Sequence, residues 1–186
     1  MKTLALIATM MVSSLAHAGV FELGATTNYR ISKIDADNFQ ESKSITGSFS
    51  YYFMQQSAIE FSYTKGNSTL GVRAAGDTVS IRYVTDFELI GADLILTLGD
   101  KQSFIQPYIK AGAAQIKKKI VQESDLGSVT YPQLPTETVP SAGLGFKVRL
   151  TQTFALKVGV DSWVTNLGKS DETVDWASRA GISWLF

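Results

Sequence analysis

The chain has 186 residues, no cysteine, one histidine and equal numbers of basic and acidic residues, 17 of each. The missing cysteine excludes disulfides, thiolate metal sites, cysteine nucleophiles and a lipidated N-terminal cysteine, and the balanced charge argues against nucleic acid as a partner. Hydrophobic content is 45%, and beyond the N-terminal segment no apolar run approaches the roughly 18 residues that a spanning helix needs.

The N-terminal segment has the order of a secretory signal peptide. Lys2 gives a positive start, Leu4 to Val12 are almost wholly apolar, and Ala16-His17-Ala18 is a small-x-small cleavage site. Cleavage after Ala18 removes His17 and Lys2. That takes the 17 basic residues to 16 against 17 acids, a net charge of about −1. The expected organisation is a leader at 1–18 and a single domain at 19–186.

From Val20 onward the sequence alternates in steps of two, the period of strands with two different faces. The first stretch, Val20 to Lys33, sets Phe21, Leu23, Ala25, Tyr29 and Ile31 against Glu22, Gly24, Asn28 and Arg30. Ser44 to Met54 carries Ile45, Phe49, Tyr51 and Phe53, and Ser57 to Lys65 carries Ile59, Phe61 and Tyr63 opposite Glu60. A fourth stretch begins near Thr78 and ends with Leu94, Leu96 and Leu98. Its apolar parity switches between Val84 and Gly91, which predicts a β-bulge or, as the alternative, a break into two strands. Phe104 to Lys117 follows, with Pro107 close to its start, where a missing N–H is tolerated. Ser141 to Thr151, Phe154 to Thr165 and Trp176 to Phe186 complete eight strands, each near the 9–11 residues of a tilted membrane strand.

The connections alternate in length. Met54 to Ser57, Gly99 to Ser103 and Thr151 to Thr153 are tight, whereas Ile34 to Lys43, Gly66 to Asp77, Lys118 to Pro140 and Asn166 to Asp175 are long and polar. Short turns at one end and long loops at the other are the habit of an outer-membrane barrel. The reading is an all-β fold, an eight-stranded antiparallel up-and-down transmembrane β-barrel.

Alternation by itself does not say which face meets lipid. The polar face carries Glu22, Arg30, Glu60, Arg82, Lys110, Lys147, Arg149, Lys157, Asp161 and Arg179, interleaved with glycines such as Gly143, Gly145 and Gly159. Glycine beside long charged side chains suits a narrow interior; on a solvated surface it would only weaken the strands. Aromatic residues form two expected girdles, Phe21, Phe53, Phe154, Trp184 and Phe186 at the periplasmic rim, and Tyr29, Tyr63, Tyr83 and Trp176 at the outer rim.

With the leader and the eight alternating strands, the ending Ser183-Trp184-Leu185-Phe186 resembles the outer-membrane assembly signal of Gram-negative barrels. The domain resembles the small eight-stranded family that includes OmpA, OmpX and OmpW. The resemblance implies the bacterial outer membrane as location and recognition of Trp184 and Phe186 by the barrel-assembly machinery and periplasmic chaperones. Outer-membrane lipid and lipopolysaccharide are the implied surroundings, and a monomer is expected.

Catalysis is not expected, because the domain lacks the histidine of the usual hydrolase triad, and neither a cofactor nor a metal site is read. Asp35, Asp37 and Asn38 lose the calcium-loop spacing after Asn38. Gly143-x-Gly145 lies inside a strand, so it is not a phosphate loop. Lys117, Lys118 and Lys119 continue the fifth strand towards its outer loop, where lipopolysaccharide phosphates lie, and Gly127 to Pro140 reads as a proline-rich exposed loop. An eight-stranded lumen is just wide enough for side chains. Glu60, Lys110, Lys147, Arg149, Lys157, Asp161 and Arg179 are therefore expected to form an ion-pair network filling it. Its five bases around two acids leave a cationic excess for Glu22 or Asp86 to reduce, depending on the bulge. The functional expectation is a structural or surface-interaction role, with a narrow pore or an OmpW-like passage for small apolar molecules as the alternative.

Overall fold

A computed structural model describes residues 21–33, 38–73, 81–99, 103–124, 127–131, 135–165 and 173–186. The leader at 1–18 lies outside these residues, as does the Asp35 to Asp37 part of the loop read for calcium. Nine strands follow one another: β1 (Phe21–Lys33), β2 (Phe39–Tyr52), β3 (Ser57–Val72), β4 (Ile81–Thr97), β5 (Ile105–Ser124), β6 (Gly127–Thr130), β7 (Glu137–Arg149), β8 (Phe154–Thr165) and β9 (Thr173–Leu185). All pairings are antiparallel. Eight strands close into a barrel, with β5 passing to β7 and β9 returning to β1, while β6 pairs with β5 alone. The proline-rich segment thus begins as a short hairpin strand on β5, not as an irregular loop.

The alternation becomes geometry as predicted through the lower half of the barrel. Leu94, Leu96, Ile109, Leu144, Phe146, Val158 and Ile182 are exposed on the outside, and Glu22, Glu60, Asp93, Lys110, Lys147, Lys157 and Arg179 are buried inside. At the periplasmic rim the aromatic rings touch one another. Phe21 lies 5.5 Å from Phe49 and 6.0 Å from Phe186, and Trp184 lies 5.2 Å from Phe186 and 6.2 Å from Phe154.

The strands run further outward than the alternation indicates. β3 continues seven residues past Lys65 to Val72, and β5 continues to Ser124. Lys65-Gly66-Asn67-Ser68-Thr69 has no apolar residue to mark a face, yet its backbone groups still find partners on β2 and β4. Alternation reports the environment of a strand, whereas its length is set by the ladder.

The bulge expected in the fourth strand is absent. The register runs unbroken from Ser57↔Leu96 to Val72↔Ile81 on one side of β4 and from Ile81↔Ser124 to Thr97↔Tyr108 on the other. Odd-numbered residues of β4 face inward throughout. Below Gly91 these are Asp93, Ile95 and Thr97, all buried; above it they are Leu89, Phe87 and Tyr83. Arg82 and Asp86 consequently sit on the exposed outer surface, and Tyr83 lies inside and not in the outer girdle. Such an inversion is what a strand shows when it passes from lipid, which favours apolar groups outside, to water, which favours them inside.

The closing seam is shorter than the strands that form it. β1 and β9 pair from Glu22↔Leu185 to Tyr29↔Ser178, extended below by two backbone hydrogen bonds between Phe21 and Phe186 (3.2 and 3.0 Å). Above Tyr29 side chains span it: Arg30 lies 3.7 Å from Asp175, and its guanidinium sits over the Trp176 ring at 5.8 Å.

Candidate functional site

The interior is layered along the barrel axis. At the periplasmic end a polar vestibule of about 610 Å³ is lined by Gln55, Gln106, Lys147, Arg149 and Thr151 among others. Above it lies a layer of side chains from all eight strands of the barrel, and its order follows from register. Lys110 is level with Gly143 and Asp161 across β5, β7 and β8, and Arg179 is level with Gly159. A Cβ on Gly143 would run into the Asp161 carboxylate and the Lys110 stem, and one on Gly145 into the Tyr108 hydroxyl and the Val158 carbonyl. The glycines therefore provide the room that the long side chains occupy.

Within this layer every base has an acid. Lys147 Nζ lies 2.6 Å from Glu22 Oε2, and Lys157 Nζ lies 3.0 Å from both Glu22 Oε1 and Glu60 Oε2. Lys110 is 3.1 Å from Asp93, 3.3 Å from Asp161 and 3.6 Å from Glu60. Arg179 is 2.8 Å from Asp161 and 3.9 Å from Glu60. Neutral groups complete the arrangement. Tyr52 donates to Glu22 at 2.6 Å, Ser50 to Glu60 at 3.3 Å, Ser141 to Asp93 at 2.6 Å, and Arg179 donates to the Tyr108 hydroxyl at 3.3 Å. Lys147 also donates to the Tyr52 hydroxyl. Burial of so many charges costs free energy unless each is paired and hydrogen-bonded, and here four acids face four bases.

Six of the seven residues expected in the lumen network meet in this layer: Glu60, Lys110, Lys147, Lys157, Asp161 and Arg179. Arg149 instead lines the vestibule below. The expected cationic excess is absent. Glu22 and Asp93 supply the missing acids, and Asp86, considered for that part, faces outward. Asp93 was legible in the sequence, since it shares a face opposite Leu94 and Leu96; the supposed bulge obscured it. Tyr52 and Tyr108 gave no such signal, being aromatic residues on a face read as polar.

Above the ion pairs the lumen narrows to a gap of about 50 Å³ beside Asp93, Arg179 and Trp163. Over it Asn28 Nδ2 donates to Ser44 (2.9 Å) and Thr46 (3.1 Å), and Thr46 is hydrogen-bonded to Thr64 at 2.7 Å. The interior then widens into a cup of about 440 Å³. One wall, from β4, β5 and β8, is apolar: Tyr83, Phe87, Leu89, Ile116, Ile120 and Trp163. The facing wall, from β1, β2 and β3, is largely polar, with Asn28, Gln40, Ser42, Ser44 and Ser68.

The lysine run does not act as one unit. All three residues lie within β5 and not in a loop, and Lys118 points into the cup while Lys117 and Lys119 are exposed outside. On the ladder, Glu88 stands across from Lys117 and Asp86 across from Lys119; Glu88 also pairs with Lys65 at 3.7 Å. Among the described residues no group of His, Asp and Glu side chains is arranged to hold a metal ion.

The sequence profile of the outer membrane protein beta-barrel domain family matches residues 3–184. Among solved structures, the chain resembles the N-terminal β-barrel domain of Pseudomonas aeruginosa OprF at 18% identity and a TM-score of 0.58, covering 91% of this chain and all of that one. Neisserial surface protein A is similar at 18% identity, 91% and 99% coverage and a TM-score of 0.60. The outer membrane protein OprG of P. aeruginosa is similar at 16% identity, 91% and 96% coverage and a TM-score of 0.57. At these identities the likeness is one of fold. No curated protein matches the chain in sequence.

Proposed function

We propose, from the premise that this chain belongs to the outer membrane protein beta-barrel domain family and so resides in the bacterial outer membrane, that it is a plugged, non-enzymatic barrel. Its role is structural and surface-interacting, carried by the strands and connections that rise above the bilayer. The observation that carries this reading is the charge-balanced layer around Glu60, in which neither Lys157 nor Glu60 retains measurable exposure beyond 1%. Side chains this closely packed and paired in charge leave hydrated ions no path. Purified barrel reconstituted into planar bilayers should be electrically silent. Steady, anion-selective current that responds to Glu60→Ala without loss of folded barrel would instead make the bases the lining of a pore.

The surroundings follow from the same premise. Lys117 and Lys119 face outward above the lipid band and contact lipopolysaccharide phosphates, although their cross-strand neighbours Glu88 and Asp86 offset much of that charge. Trp184 and Phe186, joined in the periplasmic aromatic cluster, form the mark that the assembly machinery and chaperones recognise, and 1–18 is the leader removed on export.

One observation favours the alternative of a passage for small apolar molecules: the apolar wall of the upper cup. Such a passage would start there and meet the ion-pair layer below. Uptake of a small apolar dye into barrel-containing vesicles, above the rate of protein-free vesicles, would favour it.

A further inference from the structure

Among the described residues the upper cup is open above, closed below and lined unlike the rest of the lumen. Its volume of about 440 Å³ lies in the range of small-molecule sites, about 300–1,000 Å³. A purely apolar occupant would leave the serines of β2 and β3 dehydrated, at a cost for each lost hydrogen bond. A purely polar one would leave Phe87, Leu89, Ile116 and Trp163 against water. The lining suits a thin apolar chain laid along the β4–β5–β8 wall, with water on the opposite wall.

Charge selects the headgroup. Among the described residues the charged groups that line the cup are Arg30, Lys118 and Asp175. Arg30 is engaged by Asp175 at 3.7 Å and by the Trp176 ring. Lys118 has no acidic partner among the described residues; its neighbours on the inner face of β5 are Ile116 and Ile120, and Phe87 stands across from it. A half-buried ammonium among apolar side chains gains most from an anion that brings its own apolar body.

We propose that this cup is a dead-end binding site for a free single-chain amphiphile with a carboxylate head, its alkyl chain on Leu89, Ile116 and Trp163 and its carboxylate on Lys118. The 50 Å³ constriction beneath has room for little more than water, so the ligand is held and not passed on. The site is independent of the plug, because occupancy is read without current.

Trp163 supplies the probe. The chain has three tryptophans, and Trp176→Phe with Trp184→Phe leaves Trp163 as the only one. With this variant in phospholipid nanodiscs, 12-bromododecanoate should quench Trp163 saturably. The same bromoalkyl chain bearing a trimethylammonium head should bind about tenfold more weakly, and Lys118→Gln should weaken the carboxylate by a similar factor, the worth of one charge-assisted hydrogen bond. Calorimetric titration of dodecanoate into the wild-type barrel and its Lys118→Gln variant gives the same comparison should the tryptophan variant not fold. Absence of saturable binding to folded barrel, or equal affinity for both headgroups, would overturn the proposal. So would quenching of Trp163 by brominated phospholipid alone, which would make a membrane lipid's own chain the occupant.

Discussion

Replacing Glu60 by alanine removes the acid at the centre of the ion-pair layer. Its carboxylate lies 3.0 Å from Lys157, 3.6 Å from Lys110 and 3.9 Å from Arg179, and it has no exposed surface. Four bases would then share three acids in a space where water does not reach Glu60. Breaking a buried pair from one side costs about 3–5 kcal/mol, because the abandoned charge stays buried. With a urea slope of about 2 kcal/mol per M, the midpoint should fall by about 1.5–2.5 M. The assay is urea unfolding of barrel in phospholipid vesicles, followed by tryptophan fluorescence and heat-modifiable migration. The pairing argument also makes a signed statement about a second change. Glu60→Leu with Lys157→Met removes one charge of each sign and leaves Lys147 with Glu22, and Lys110 and Arg179 with Asp93 and Asp161. The double variant should regain at least half of the stability lost in Glu60→Leu. A loss under about 1 kcal/mol for Glu60→Ala, or a double variant as unstable as the two single losses added together, would refute the reasoning.

Further expectations concern the two faces and the rim. Leu144→Arg, on the exposed lower outer face, should destabilise the folded barrel by about 2–4 kcal/mol in bilayers, the cost of a cation in the lipid band, with the same urea assay as the check. Cysteine placed at Asp86 should react with a membrane-impermeant thiol reagent from outside, whereas cysteine at Leu94 should be reached only by a lipid-borne quencher; the reverse pattern would contradict the change of environment along β4. Removing Phe186, which stacks with Phe21, packs tilted against Trp184 and shares two backbone hydrogen bonds with Phe21, should lower the yield of heat-modifiable barrel in the outer membrane, as measured by quantitative blotting.

Much of this protein is local in origin and therefore legible residue by residue. Alternation with a period of two, as in Ala142 to Leu150 or Phe154 to Val160, specifies both the strand and the face of every residue on it, since a slip of one position would turn every side chain over. Glycines set among Lys147, Lys157 and Arg179 revealed a crowded interior, and the Phe154–Thr165 strand was readable to its ends. What alternation does not encode is position along the membrane normal. The same inward parity on β4 carries Asp93 in one layer and Phe87 in the next, and only the closed barrel, by fixing where lipid ends and water begins, makes both the low-energy choice. That inversion read as a bulge in one dimension, and it took Tyr83 and Arg82 to the wrong faces. Partnership is equally a tertiary matter. Glu22 and Lys147 stand 125 positions apart, and nothing in either neighbourhood names the other. Their distance of 2.6 Å exists because eight strands close with one stagger, and that closure decides which acid neutralises which base.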